Sequence, residues 1–228
     1  MLYRDYLERL FEMFTLALAR VSYLREQKKY DEALLEIMDS GKKIVGIDLN
    51  MLNYISDVDM MNLFKSEDPS NAGRFIVLAG FLNEEGDIHF NLKNNSERFR
   101  CYLKSLVLYC EALKYKDVIK LNEYFDKIEK LIENLNEYDL PWNVKNNLIN
   151  YYEEAGKYSS AEDLIFELAE AGDEQILSSG LSFYNRLLLK TNEEIEKGNL
   201  TREEIENAIL ELKNWHTDNT DVTDIHGF

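Results

Sequence analysis

The chain has 228 residues, of which 45% are hydrophobic and 30% charged, so it is long and apolar enough to bury a sizeable core. Its formal net charge is −17 at pH 7, which disfavours nucleic acid and anionic membrane surfaces as partners. Only two prolines and ten glycines interrupt it, which argues against a turn-rich all-β protein and favours an all-α fold.

The elements predicted for the first half follow from helical spacing of apolar residues and from turn and cap residues. The first helix, residues 2–28, and the second, which Asp31 is predicted to cap, should form a hairpin around Gln27–Tyr30. A connection is predicted over Gly46–Asn53, and a short helix from Ser56 to Phe64 begins with an approximate Ser56/Asp59 capping box.

The second half begins with a loop-like stretch, KSEDPSNAG, at residues 65–73. Its predicted helices cover about residues 72–92, 96–114, 117–135, 141–155, 159–171 and 173–197, with a final helix after Thr201. Pro141 suits a first helical turn, and Thr201 with Glu204 matches a capping box. A polar, acidic tail is predicted from Asn214 onward. The whole chain should therefore contain about 9–11 helices.

One stretch, LINYYEEAGKYSSAEDLIFELAEAG at residues 148–172, reads as two amphipathic helices folded back at Gly156-Lys157-Tyr158. It resembles a tetratricopeptide (TPR) repeat, with Tyr158 as the turn aromatic and Ala161 at the tight helix crossing. Weaker copies are found upstream, and the last hairpin is a degenerate candidate. The predicted repeats are 14–47, 79–112 and 142–175, with the degenerate hairpin at 176–213.

This resemblance implies a TPR-like α-α superhelix of antiparallel helix hairpins, in a single domain over residues 1–213 with a polar C-terminal tail at 214–228. The copies start about sixty-four residues apart, because an extra helix follows each of the first two hairpins. Two arrangements fit this spacing: a repeated three-helix unit, or an irregular TPR stack whose intermediate helices have lost the signature.

The N-terminal stretch MLYRDYLERLFEMFTLALARV and the KYDEAL turn at residues 29–34 resemble an uncharacterised family of bacterial TPR-like proteins from Firmicutes. That resemblance implies no activity. The TPR resemblance implies protein–protein interaction through the concave face of the superhelix, with a protein or peptide as partner.

The sequence has no phosphate-binding loop, paired-cysteine motif, zinc-protease motif or nucleophile elbow, so no enzyme, cofactor or metal is predicted. His89 is interpreted as a packed or half-buried helix histidine. Cys101 and Cys110 share one predicted helix but, at about 100° per residue, point to opposite faces and cannot form a disulfide with each other. Unpaired thiols, the lack of a signal-peptide core and the lack of a membrane-spanning run predict a cytoplasmic protein.

A row of asparagines is the first candidate binding site. Asn143, Asn146, Asn147 and Asn150 are spaced to share one helical face, and amides can hydrogen-bond any peptide backbone. By resemblance to peptide-binding TPR domains, Asn146, Asn150 and, in the preceding copy, Asn83 match positions that present asparagine to the groove. The basic residues of a carboxylate clamp are not evident. The alternative is that these amides are simply exposed to water.

The first helix is the second candidate, because it is apolar over most of its circumference although a terminal repeat normally has a polar outer face. Either another part of the chain covers this surface, or a second copy does so in a homodimer. The residues proposed for self-association are Leu2, Tyr6, Leu7, Leu10, Phe11 and Phe14.

Overall fold

The computed structural model describes residues 2–64, 68–115 and 124–220, and in that part of the chain it contains twelve α-helices, one short 3-10 helix and no strand. The fold is all-α, as predicted. The helices are α1 (Leu2–Glu26), α2 (Tyr30–Ile44), α3 (Leu49–Tyr54), α4 (Asp57–Asn62), α5 (Asn71–Asn91), α6 (Asn95–Ala112), α7 (Phe125–Leu135), α8 (Trp142–Glu154), α9 (Tyr158–Glu170), α10 (Glu174–Leu187), α11 (Asn192–Lys197) and α12 (Arg202–Thr220).

The chain divides into two compact units, Met1–Asp139 and Leu140–Phe228. The predicted single domain over residues 1–213 remains a prediction. Among the described helices, none combines the length and the apolar character needed to cross a membrane.

The first unit is built around the α5–α6 hairpin, which is its most buried part. The two helices approach closely where Ser105 Oγ donates a 2.7 Å hydrogen bond to the carbonyl oxygen of Ala79. A side chain at Gly86 would collide with the ring of Tyr102, so this crossing depends on small residues. Tyr102 in turn donates a 2.8 Å hydrogen bond to Asp87 on α5.

The second unit contains the hairpin predicted at residues 148–172, formed by α8 and α9, which turns at Gly156 with a positive φ of +72°. Tyr158, Ala161, Ile165 and Leu168 are all buried, as expected for the core positions of that hairpin. They pack in one apolar cluster with residues of α10, α11 and α12. The hairpins α1–α2 and α5–α6 also form where the sequence predicts them.

Several element boundaries differ from the predictions. The predicted long helix over residues 173–197 is wrong: it breaks into α10 and α11, because Thr191 and Glu194 form a capping box that starts a new helix. Helix α2 starts at Tyr30 after Lys29 rather than at an Asp31 cap. Helix α3 occupies part of the predicted connection, since Asp48 caps its first turn.

The predicted Thr201/Glu204 capping box forms in full, whereas the approximate Ser56/Asp59 box forms only in part. The Ser56 hydroxyl accepts from the backbone N–H of Asp59 at 3.1 Å and donates to the Asp59 carboxylate at 2.7 Å. The Thr201 hydroxyl accepts from the backbone N–H of Glu204 at 3.2 Å, and the Glu204 carboxylate accepts from the backbone N–H of Thr201 at 2.7 Å. Pro141 precedes α8 as its cap residue rather than lying inside the first turn. Helix α12 continues to Thr220, past the predicted start of the tail. Residues 65–67 of the predicted loop, 117–123 of the predicted helix over 117–135 and 221–228 of the predicted tail lie outside the described residues.

Candidate functional site

A groove of about 420 Å³ lies between α8 and α10 in the second unit. This volume falls in the range of small-ligand pockets, about 300–1,000 Å³. Its floor is apolar, since Ile149, Ile176 and Phe183 are at most 7% exposed. Its rim is polar and mostly uncharged, and is formed by Asn146, Asn150, Gln175, Ser179, Ser182 and Arg186.

Helical periodicity explains how these rim residues come together. On α8, Asn146 and Asn150 are one turn apart, and the Asn150 amide donates to the Asn146 carbonyl at 3.4 Å. The α10 residues of the rim recur every three or four positions and so share one face. The hydroxyls of Ser179 and Ser182 donate to carbonyls of their own helix, which leaves their oxygens able to accept from a ligand.

A paired salt bridge connects the two walls of the groove. Arg186 Nε and Nη2 each donate a 2.7 Å hydrogen bond to the carboxylate of Glu153 on α8. The two-pronged geometry orients the guanidinium, and hydrogen bonding to Glu153 raises the pKa of Arg186 above its ordinary value. The arginine is therefore charge-paired, and the groove offers neutral amide and hydroxyl groups for hydrogen bonding.

The structure brings only two of the predicted asparagines into this groove. Asn146 and Asn150 line it, whereas Asn143 and Asn147 are half-buried on α8 outside the lining. Asn83 is half-buried on α5 in the first unit. A face defined by spacing alone is wider than the part of a helix that borders one groove.

Sequence reasoning missed the α10 side of the groove. Gln175, Ser179, Ser182 and Arg186 follow a helical period that is readable in the sequence, but polar residues at that spacing usually mark only a solvent-exposed face. What distinguishes these four residues is that they lie opposite α8. That position depends on how α9 packs against both α8 and α10.

Three of the six residues proposed for self-association lie inside the first unit. Leu7, Leu10 and Phe14 are buried. The side chains of Leu7 and Leu10 lie directly against Gly73 of α5, and the ring of Phe14 lies against Gly80, so neither glycine leaves room for a side chain. Phe11 is half-buried, Tyr6 is 40% exposed, and the side chain of Leu2 lies outside the described residues. In this structure α5 covers the side of α1 that carries Leu7, Leu10 and Phe14, whereas Met13 and Leu16 on the same helix are 39% and 73% exposed.

A second group of polar side chains meets in the interior of the first unit, where α3, α5 and α6 pack together. Ligand atoms of Glu85, His89 and Cys101 all lie within 4.8 Å of one another. Glu85 Oε1 is 3.9 Å from His89 Nε2 and accepts a 2.8 Å hydrogen bond from Asn53 on α3. The thiol of Cys101 is 4.0 Å from Asn53 Oδ1.

Burial dominates the chemistry of this cluster. It raises the pKa of the Cys101 thiol far above its ordinary value, and the neighbouring Glu85 carboxylate raises it further. Nδ1 of His89 is buried and has no hydrogen-bond partner among the described residues. Cys101 and Cys110 are both unpaired and buried.

The cluster combines residues that the sequence shows but does not connect. Glu85 and His89 are one turn apart on a predicted helix, and Cys101 follows on the next predicted helix. Carboxylates at helical spacing from a histidine are common, and nothing in the sequence indicates that the cysteine faces them.

The described residues therefore form an all-α protein whose candidate sites are a polar-rimmed groove and a buried cluster of potential ligands. The chain belongs to the DUF6483 family, a family of unknown function whose model matches residues 1–216. No curated protein and no solved structure matches the chain.

Proposed function

We propose that this chain is a non-enzymatic, cytoplasmic protein-binding scaffold with TPR-like helical repeats, and that the α8–α10 groove binds an extended peptide segment of a partner protein. The observation that carries the proposal is the groove itself, with its apolar floor and its rim of amides and hydroxyls. An extended peptide exposes unpaired backbone N–H and C=O groups that need such partners.

The geometry favours a backbone-reading mode of recognition. Asn146 and Asn150 from α8 oppose Gln175 and Ser179 from α10, so amides and hydroxyls flank the floor on both sides. Side chains of the peptide would pack on the buried floor residues Ile176 and Phe183. TPR domains use the first helices of successive hairpins in the same way, and α8 and α10 occupy equivalent places in the predicted repeat.

The charge of the chain indicates the chemistry of the partner. A formal net charge of −17 attracts basic segments, although the groove rim itself is nearly neutral. The peptide is therefore expected to place neutral or apolar residues in the groove and basic residues outside it. This arrangement predicts affinity that falls with ionic strength.

The test is selection of binders from a randomised peptide-display library on the immobilised full chain. Selected sequences are resynthesised with a fluorophore, and their affinity is measured by anisotropy. Each backbone hydrogen bond contributes about 0.5–1.5 kcal/mol, so the Asn146→Ala, Asn150→Ala double variant should weaken binding about tenfold or more.

The matched control is Asn147→Ala, which removes an amide from the same helix outside the groove lining. It should bind the selected peptides as tightly as the unmodified chain does. Failure to select any peptide above background, or equal binding by the double variant and the unmodified chain, would refute peptide binding in this groove.

A further inference from the structure

We propose that Glu85, His89 and Cys101 form a binding site for a divalent transition-metal ion, with Zn²⁺ as the best match. The three side chains offer carboxylate oxygen, imidazole nitrogen and thiolate sulfur, which are the donor types that zinc accepts in proteins. The proposal is independent of the peptide groove, because all three residues belong to the first unit.

The distances already approach those of a metal site. Metal–ligand bonds of about 2.0–2.3 Å around a tetrahedral ion separate neighbouring donor atoms by about 3.3–3.8 Å. The ligand atoms here lie within 4.8 Å of one another, and His89 Nε2 is 3.9 Å from Glu85 Oε1. Small side-chain rotations, without movement of α5 or α6, would bring the three donors into range.

The charges of the cluster also match a dication. One thiolate, one carboxylate and one neutral imidazole carry a total charge of −2, which a divalent ion cancels in a buried site. Thiol ligands lose their proton when metal binds, so the Cys101 proton is released to solvent. The nearest cationic side chains, Arg100 and Lys104, are ion-paired with Glu97 and Asp57.

The surroundings resemble the support that metal ligands usually have. Asn53 donates a 2.8 Å hydrogen bond to Glu85 and so orients its carboxylate, a role that outer residues play in zinc sites. Nδ1 of His89 is buried without a hydrogen-bond partner among the described residues, so the imidazole is not held by a protein acceptor through that nitrogen. Three protein ligands leave a fourth position for water.

Binding at this site would fasten the α5–α6 hairpin, because Glu85 and His89 belong to α5 and Cys101 to α6. A ligand that binds only the folded state raises stability in proportion to its concentration and affinity. The site is therefore expected to act as a structural clamp on the core of the first unit.

The test uses the purified full chain after treatment with a chelator, titrated with Co²⁺ as a spectroscopic substitute for Zn²⁺. A thiolate ligand produces a sulfur-to-cobalt charge-transfer band, which carboxylates and histidines elsewhere in the chain cannot produce. We expect this band to appear at one equivalent, to be displaced by Zn²⁺, and to coincide with a higher Tm.

Cys101→Ser should abolish the band, whereas Cys110→Ser should retain it, because Cys110 is a buried cysteine of the same helix outside the cluster. Asn53→Ala should weaken binding about 10–100-fold. If Cys101→Ser does not fold, as judged by circular dichroism, the folded His89→Gln variant takes its place and should weaken binding at least as strongly as Asn53→Ala.

Three outcomes would overturn the proposal. They are the absence of a charge-transfer band at millimolar Co²⁺, a band that Cys101→Ser or its His89→Gln substitute leaves unchanged, and a band that Cys110→Ser abolishes. A failure here leaves the peptide-binding test untouched, since that test reports on residues of the second unit.

Discussion

The ring of Phe14 lies directly on Gly80, so that a Cβ atom added to the glycine would collide with Phe14 Cζ. Phe14 also packs edge-to-face on Phe81, with ring centroids 5.0 Å apart. Helix α1 therefore contacts α5 through the ring of Phe14, which occupies the space left by the absent side chain of Gly80. Leu7, Leu10 and Phe14, three of the residues that made α1 a candidate for dimerisation, are therefore part of the core of the first unit.

We expect Phe14→Ala to lower the free energy of unfolding by about 3–5 kcal/mol, because it leaves a cavity between α1 and α5. Leu16→Ala is the control, since Leu16 is on the same helix but 73% exposed, and it should change stability by no more than about 0.5 kcal/mol. Urea unfolding followed by circular dichroism measures both. A Phe14→Ala variant that keeps full stability but dissociates a dimer in light scattering would instead support self-association.

Glu162 should make the stability of the second unit depend on pH. Burial raises the pKa of its carboxyl above the ordinary value, and the nearby carboxylates of Glu204, Asp163 and Glu211 raise this pKa further. The 3.0 Å hydrogen bond that Tyr184 donates to Glu162 acts in the opposite direction and lowers the pKa, but burial has the larger effect. The folded state thus holds this proton more tightly than the unfolded state. The resulting stabilisation is present at low pH and is lost as the pH rises through the raised pKa.

Glu162→Gln should therefore increase the free energy of unfolding more at about pH 8 than at about pH 5, while its amide oxygen still accepts from Tyr184. The control is Glu194→Gln. Hydrogen bonds from the backbone and hydroxyl of Thr191 lower the pKa of Glu194, so its contribution is lost only at lower pH. That variant should be destabilised equally at both pH values. If Glu162→Gln changed the free energy of unfolding equally at the two pH values, the result would contradict the burial of the Glu162 carboxyl.

Thr191 starts α11, since its hydroxyl accepts from the Glu194 backbone at 3.3 Å and its own backbone donates to the Glu194 carboxylate at 2.9 Å. Thr191→Ala should cost about 0.5–2 kcal/mol of stability, as loss of an N-cap usually does. Thr15→Ala is the control, because Thr15 lies exposed in the middle of α1, and it should stay within about 0.5 kcal/mol. Thermal unfolding compares the two, and equal shifts in Tm would rule out capping as the cause.

Much of the fold could be predicted from the sequence because its signals are local. The turn at Gly156–Tyr158 and the capping boxes at Ser56 and Thr201 involve residues at most a few positions apart, so propensity and hydrogen-bonding chemistry suffice to recognise them. The missed break before Thr191 was also local: its capping box is readable in the sequence, but continuous apolar spacing concealed it.

The two candidate sites could be predicted only in part, for the same physical reason. Helical spacing placed Asn146 and Asn150 on one face, but it could not tell which neighbouring helix would border them or exclude Asn143 and Asn147. Likewise, Cys101 meets Glu85 only because α5 and α6 pack with a particular rotation about their axes.

The sequence alone therefore determined an all-α chain, its main hairpins and the helix caps at Ser56 and Thr201, because these depend on periodicity and on contacts within a few residues. The tertiary structure decided that α5 covers α1, that α10 completes the groove, and that a carboxylate, an imidazole and a thiol converge inside the first unit. Such relationships depend on the angle and rotation at which helices pack, and these are set by the combined fit of many side chains.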